Sequence, residues 1–325
     1  MIRNPILTIL ALLAVDLLAA EKTRWIELCV HGNPSIKASC EAMRKAAGGS
    51  PSSEDSHWKK TYHRLRKIKE IDLANANIES LEPLGICKNL KVLNLGTNRI
   101  SDLSPLAGLE SLQELNLEEN FLHELLPLAN LHRLKILNLA DNHISDLTPL
   151  SSLTNLIDLN LNRNGITSEQ LSGLQTLIEL KKLRLNDNKI FNIEQLDLGG
   201  FNGLQELELD HNYIFDISPL SSLTYLRKIT LNFNEIEDVS PLQGLISLEE
   251  LWLTRNNINN LHPLMHLKNL KILYLYRNRN CSLAPLAYLA KLQEVWLNYE
   301  QICEMNPLSH LPNLKKVYLG EVRFI

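Results

Sequence analysis

A block of eleven residues, Leu90-Lys-Val-Leu93-Asn-Leu95-Gly-Thr-Asn98-Arg-Ile100, returns along this chain with its apolar and asparagine positions kept. Further copies begin at Leu112, Leu134, Leu156, Leu180, Leu204, Leu226, Leu248, Leu270 and Leu292, with a degenerate first copy at Ile68 and a truncated last one at Leu314. The step is 22 residues, except in the units starting at Leu156 and Leu180, where it is 24. One such unit cannot bury its own apolar face, so the units must stack and share a core.

Each repeated position has a physical reason. The alternating Leu-x-Leu is a short strand with one face buried. Asn98, Asn120, Asn142, Asn164, Asn188, Asn212, Asn234, Asn256 and Asn278 form a ladder in which each amide can bond the backbone groups freed where the chain bends out of the strand. The ladder breaks at Ala76 and Glu300, near the ends, where atypical capping repeats are expected. Pro83, Pro105, Pro127, Pro149, Pro219, Pro241, Pro263, Pro285 and Pro307 follow the bend and disfavour a long helix, so short turns and 3-10 pieces are expected there. The two longer units lack that proline, and Ser168–Leu174 and Ile193–Leu196 could each add a helical turn or two.

The pattern Leu-x-x-Leu-x-Leu-x-x-Asn-x-Ile-x-Asp-Leu-x-Pro-Leu resembles the 22-residue leucine-rich-repeat subclass of bacterial internalin-like surface proteins. It is also similar to the leucine-rich regulatory subunit of eukaryotic protein phosphatase one. The resemblance covers roughly Ile68 to the C-terminus. It implies an α/β repeat solenoid, with a curved parallel β-sheet on the concave side and short turns on the convex side. It also implies protein recognition rather than catalysis. No C-terminal sorting motif or immunoglobulin-like module is found in the chain, so attachment to a cell wall is not implied.

The N-terminus reads as an address. Arg3, the mostly apolar stretch Ile6–Leu18 and the small pair Ala19-Ala20 have the layout of a secretory signal peptide spanning 1–20. The apolar run is short for a membrane anchor. Asp16 and the bulky Leu18 weaken the cleavage pattern, and an uncleaved N-terminus would point to an intracellular scaffold like the phosphatase regulator. The favoured location is secreted, periplasmic or at the cell surface. Residues 21–67 then form a helical N-terminal segment, broken at Gly32-Asn-Pro34 and by a flexible linker at 48–55, ahead of the array at 68–325. Trp58, Tyr62 and Leu65 recur at helical spacing among basic residues, as in an amphipathic cap over the first core layer.

Five cysteines in a secreted chain invite pairing. Cys29 and Cys40 share the cap region, and Cys281 and Cys303 hold one repeat position in adjacent units, about 4.8 Å apart if in register. The alternative is that all remain reduced. Cys87 replaces a recurrent leucine and should be a buried free thiol.

No phosphate loop, His-Glu-x-x-His, Cys-x-x-Cys or Gly-x-Ser-x-Gly is present, and no enzyme, cofactor or metal site is expected. His262 and His266 stand four apart, but Pro263 lies between them. Acidic groups at Glu114, Glu118 and Glu119, and at Glu206, Glu208 and Asp210 beside Lys182 and Arg184, read as a screened charge mosaic rather than a calcium site. The net charge of −4 is small, and no nucleic acid or membrane span is expected.

A surface remains. The residue between the strand leucines points away from the core. Unit by unit it is Asp72, Asn94, Asn116, Asn138, Asn160, Arg184, Glu208 and Thr230, then Trp252, Tyr274, Trp296 and Tyr318. Phe233, Tyr276 and Tyr299 lie at neighbouring positions, and Arg255 and Arg277 flank the strip. Aromatics favour strands, but that does not account for the abrupt change from asparagine. An exposed aromatic strip is a protein-binding candidate, with a glycan as the second reading because aromatic faces stack on sugar rings.

Overall fold

The computed structural model describes residues 5–49, 55–195, 200–201, 203–279, 282–298 and 305–320. The chain divides into two compact units, Met1–Arg133 and Leu134–Ile325.

The first unit carries helices α1 (Pro5–His31), α2 (Pro34–Ala46) and α3 (Asp55–Leu65), then parallel strands β1 (Glu70–Asp72), β2 (Val92–Asn94) and β3 (Glu114–Asn116). The chain breaks between α1 and α2 where expected. A Cβ on Gly32 would sit 2.3 Å from the Leu28 carbonyl oxygen, while Asn33 caps α2 by accepting the Ile36 N–H at 2.9 Å. Pro34 opens α2, where its missing N–H costs nothing. Cys29 and Cys40 form a disulfide joining the two helices. Trp25, Trp58 and Tyr62 pack edge to face or tilted, at centroid distances of 6.0 and 5.7 Å. The Trp25 indole donates to the Pro83 carbonyl at 2.9 Å and Ser39 donates to the Ser80 carbonyl at 2.6 Å, tying the helices to the first turn. Trp58, Tyr62 and Leu65 are buried, as a cap requires. Helix α1 starts well before Glu21 and passes Ala20 unbroken, with Leu17 71% exposed and Trp25 its first buried side chain among the described ones. No described helix is long and apolar enough to cross a membrane.

The second unit carries parallel strands β4 (Ile136–Asn138), β5 (Asp158–Asn160), β6 (Lys182–Arg184), β7 (Glu206–Glu208), β8 (Lys228–Thr230), β9 (Glu250–Trp252), β10 (Ile272–Tyr274), β11 (Glu294–Leu297) and β12 (Lys316–Leu319), paired in sequence order. This is the leucine-rich-repeat fold. Leu137, Leu159, Leu183, Leu207, Ile229, Leu251, Leu273 and Val295 make one buried row in register. The 24-residue steps leave that register untouched, since Leu159 still pairs Leu183 and Leu183 pairs Leu207. The surplus goes to the turn side. Ser168–Leu174 is a seven-residue 3-10 segment opened by a Thr167–Gln170 capping box, whereas the proline turns run three to five residues. Gly173 is required there, because a Cβ would lie 2.7 Å from the Leu147 backbone. The corresponding stretch of the next unit, from Leu196, falls outside the described residues.

The ladder asparagines are all buried. Asn188 shows their work: its amide donates to the carbonyls of Leu161, Leu185 and Asn186 at 3.0–3.1 Å, and its oxygen accepts the N–H groups of Asn164 and Ile166 at 3.2 and 2.9 Å. Five backbone groups on two rungs depend on one side chain. Asn98 does the same for the Ala76 and Ile78 N–H groups, which covers the rung that lacks its own asparagine. Removing such an amide strands several buried backbone groups at about 1–3 kcal/mol each before relaxation. Asn188→Ala should therefore lower the unfolding free energy by about 3 kcal/mol or more, measured by urea denaturation against the wild type.

Candidate functional site

Strand alternation sends Leu251, Leu273 and Val295 into the core and aims Trp252, Tyr274 and Trp296 outward. Parallel pairing puts Trp252 beside Tyr274, Tyr274 beside Trp296, and Trp296 beside Tyr318. The four rings meet face on or tilted. Trp252 and Tyr274 lie 4.5 Å apart at 32°, Tyr274 and Trp296 5.2 Å apart at 14°, and Trp296 and Tyr318 3.8 Å apart at 19°. Such contacts contribute roughly 0.5–1.5 kcal/mol each beyond area burial. The faces between rungs are closed by their neighbours, and the file turns ring edges to solvent.

Glu294 organises the polar rim of the file. Its carboxylate accepts the Trp296 indole N–H at 2.8 Å and the Tyr274 hydroxyl at 3.2 Å, and pairs Lys316 at 3.2 Å. Those partners, the indole first, hold its carboxyl below the usual range. Burial, helped by Glu294, pushes the Tyr274 phenol up. At the other end the Lys228 ammonium lies 5.6 Å from the Trp252 ring and 2.8 Å from Glu208. The Trp252 Nε1 is buried without a hydrogen-bond acceptor among the described residues, a cost the stack must offset.

A second file runs beside the first. The residue before each ladder asparagine has positive φ, including Thr97, Glu119, Asp141, Arg163, Asp187, His211, Phe233, Arg255 and Arg277. Phe233, Arg255 and Arg277 therefore stand in the turn after the strand, outside the sheet face itself. The column settles its charges by stacking: Thr97 donates to Glu119, and Arg163 lies within 3.4 Å of Asp141 and 3.6 Å of Asp187. Phe233 is sandwiched, with His211 stacked at 4.0 Å and the Arg255 guanidinium 4.8 Å from the ring centroid. Arg277 lies 5.4 Å from the Tyr276 ring. That ring reaches Gly320, where a Cβ would meet it at 1.9 Å, so any larger residue there would have to displace the ring. Tyr299, Cys281 and Cys303 lie outside the described residues.

The charged middle of the sheet is a chain of ion pairs, Arg184 with Asp158 at 2.6 Å, Lys182 with Glu206 at 2.8 Å and Lys228 with Glu208 at 2.8 Å. Burial would raise Glu208, but Lys228, Asn186 and Arg184 outweigh it and hold the carboxyl low. Asp210 is the opposite case, pushed up by burial with Glu208 adding to the effect. No group of His, Cys, Asp and Glu among the described residues could hold a metal ion. His262 and His266 sit in one short 3-10 turn. Cys87 is a buried free thiol, pushed up to about 12 by burial, and inert as a nucleophile.

The file was legible as a column of residue types, but its mutual stacking was not. The Phe233 sandwich and the Asp141–Arg163–Asp187 ladder also went unread, although the residue before each ladder asparagine, taken unit by unit, spells out both.

Several known proteins resemble this chain in fold. The family model for Leucine Rich repeats (2 copies) matches residues 66–108. The chain is similar to the internalin InlF of Listeria monocytogenes, at 26% identity and a TM-score of 0.70, covering 88% of this chain and 91% of that one. It shares its fold with a Leptospira interrogans leucine-rich-repeat protein, at 23% identity and a TM-score of 0.69, over 79% of this chain and 74% of the other. It also shares it with the functional domain of InlJ from Listeria monocytogenes, which includes a cysteine ladder, at 22% identity and a TM-score of 0.67, over 80% of this chain and 56% of that domain. No curated protein matches the chain.

The raised Asp210 carboxyl gives a signed expectation. A carboxyl raised in the folded state stabilises it at low pH and loses that contribution as pH rises through its folded value. The stability of Asp210→Asn relative to wild type should therefore grow from about pH 3 to about pH 7, as followed by urea midpoints across that range. A difference that stays flat or shrinks would contradict the assigned burial.

Proposed function

For a leucine-rich-repeat chain of the internalin-like kind, we propose a secreted, non-enzymatic recognition module that holds a protein partner on the concave face of its sheet. Trp252, Tyr274, Trp296 and Tyr318 anchor the partner, with Tyr276, Phe233, Arg255 and Arg277 around them and Tyr299 assigned to the same set from its sequence position alone. The observation that carries this reading is the file itself: four aromatic side chains in register, three half-buried and one exposed, after a run of rungs that carries none. Tryptophan and tyrosine dominate interface hot spots, and rings locked by their neighbours lose little freedom on binding. Leucine-rich-repeat relatives serve as binding modules, which supports a recognition role over catalysis.

A glycan is the second reading, and the stacking weighs against it. Sugars pack on open aromatic faces, and the faces between rungs are spaced 3.8–5.2 Å, too close to admit a ring. Secretion draws support from two observations. The helical stretch before Trp25 leaves Leu17 uncovered, so cleavage after Ala20 would remove nothing the cap packs against among the described side chains. The Cys29–Cys40 disulfide suits an oxidising compartment. The division into a leader at 1–20, a cap at 21–67 and an array at 68–325 follows from the same reading.

The test is a pull-down with the wild-type array and Trp252→Ala/Trp296→Ala in parallel. The variant should keep its far-ultraviolet circular dichroism and lose the captured partner by about tenfold or more. Equal capture by a folded variant would sink the anchor. Sequencing the mature N-terminus should give Glu21 as the first residue; an intact Met1 would turn the reading toward an intracellular scaffold.

A further inference from the structure

The second file separates the one end of the molecule from the rest by its charge. Where this column runs through Asp141, Arg163 and Asp187, opposite charges alternate and the arginine is held on both sides. Three units after Asp187 the same column places Arg255 and, on the adjacent rung, Arg277, both exposed, and neither has a carboxylate partner among the described residues. Like charges side by side on neighbouring strands cost stability. Each guanidinium rests on a ring instead, Arg255 on Phe233 and Arg277 on Tyr276, which fixes its position while leaving its N–H donors unfilled by any described residue.

The opposite border of the aromatic file carries both signs, and most of its charges are paired, Glu250 beside Trp252 being without an ion pair among the described residues. Glu249 is paired with Arg227 at 3.2 Å and with Lys271, and Glu294 is bonded to Trp296, Tyr274 and Lys316. The uncompensated positive charge beside the aromatic anchor therefore lies on the turn side, at Arg255 and Arg277. Arginine's planar fork matches a carboxylate with two parallel N–H donors, and a guanidinium seated on a ring is oriented before its partner arrives.

We infer that the partner presents an acidic segment whose carboxylates engage Arg255 and Arg277 while its apolar side chains rest on the edges of the Trp252–Tyr318 file. This rests on the file being the docking surface. A sulfated glycan is the competing anion, but the ring faces between rungs are closed, and the carboxylate of Glu294 lines the far edge.

The test uses the full chain and three fluorescein-labelled ten-residue peptides that alternate leucine with glutamate, glutamine or lysine, read by fluorescence anisotropy at low salt. The glutamate peptide should bind about tenfold or more tightly than the glutamine peptide, with the lysine peptide weakest. Arg255→Gln/Arg277→Gln should erase the preference for glutamate and leave the glutamine peptide unchanged. Trp252→Ala/Trp296→Ala should weaken the glutamate and glutamine peptides alike. Equal binding of those two peptides by wild type, a preference that survives in the arginine variant, or no binding by any peptide up to about 1 mM would each overturn the inference. So would a heparin oligosaccharide that binds more tightly than the glutamate peptide and depends on the two arginines. If the glutamate preference holds but binding ignores the tryptophan variant, the docking reading beneath it fails instead.

Discussion

The buried asparagine ladder sets the geometry on which everything else rests. Each amide satisfies backbone groups of its own rung and of the one before it, as Asn188 does for Leu161, Asn164, Leu185 and Asn186. The bend it stabilises forces the preceding residue to positive φ, even where that residue is Thr97, Phe233 or Arg255. Conformations of that kind cost a non-glycine residue about 1 kcal/mol or more, and they persist only where the surroundings hold them. With every rung bent alike, a given repeat position lies directly over the same position of its neighbour. Sequence differences at that position become side-chain contacts along a column.

A column of this kind has few stable solutions, and the molecule uses several. Amides chain together, as when Asn116 donates to Asn94 at 2.9 Å. Opposite charges alternate, as in Asp141, Arg163 and Asp187. Aromatic rings stack, from Trp252 to Tyr318. The arginines at 255 and 277 take none of these routes in full, because their rings orient them without neutralising them. A rigid apolar file with a positive border on one side is suited to a partner that is apolar and acidic in the same segment. Pre-stacking suits the proposed role, since rings held by their neighbours have little freedom left to lose in a complex.

Much of this was readable from the residues. The leucine and asparagine registers gave the stacked strands, and the prolines gave the short 3-10 turns, because both act through local backbone geometry. The helical cap followed from the spacing of Trp58, Tyr62 and Leu65, and the pairing of Cys29 with Cys40 from their nearness. Ring orientation was not readable, because it is decided by the neighbouring rung and not by the strand that carries the ring. The reach of Tyr276 to Gly320, two units on, is a tertiary fit that no spacing rule anticipates. The placement of Phe233, Arg255 and Arg277 in the turn depended on backbone conformation, which residue type alone hides at positions filled by histidine, phenylalanine and arginine. Helix α1 runs unbroken through Ala20, so the boundary read there from residue types has no counterpart in the local backbone.

Hydroxyl-radical footprinting of the array, free and bound to a captured partner, tests the central claim most directly. The side chains of Trp252, Tyr274, Trp296 and Tyr318 should lose reactivity on binding, while the exposed aromatics Phe191, Tyr213 and Tyr288 keep theirs. Protection of Tyr288 or of the Phe191–Tyr213 surface, with the four-ring file unchanged, would contradict the account.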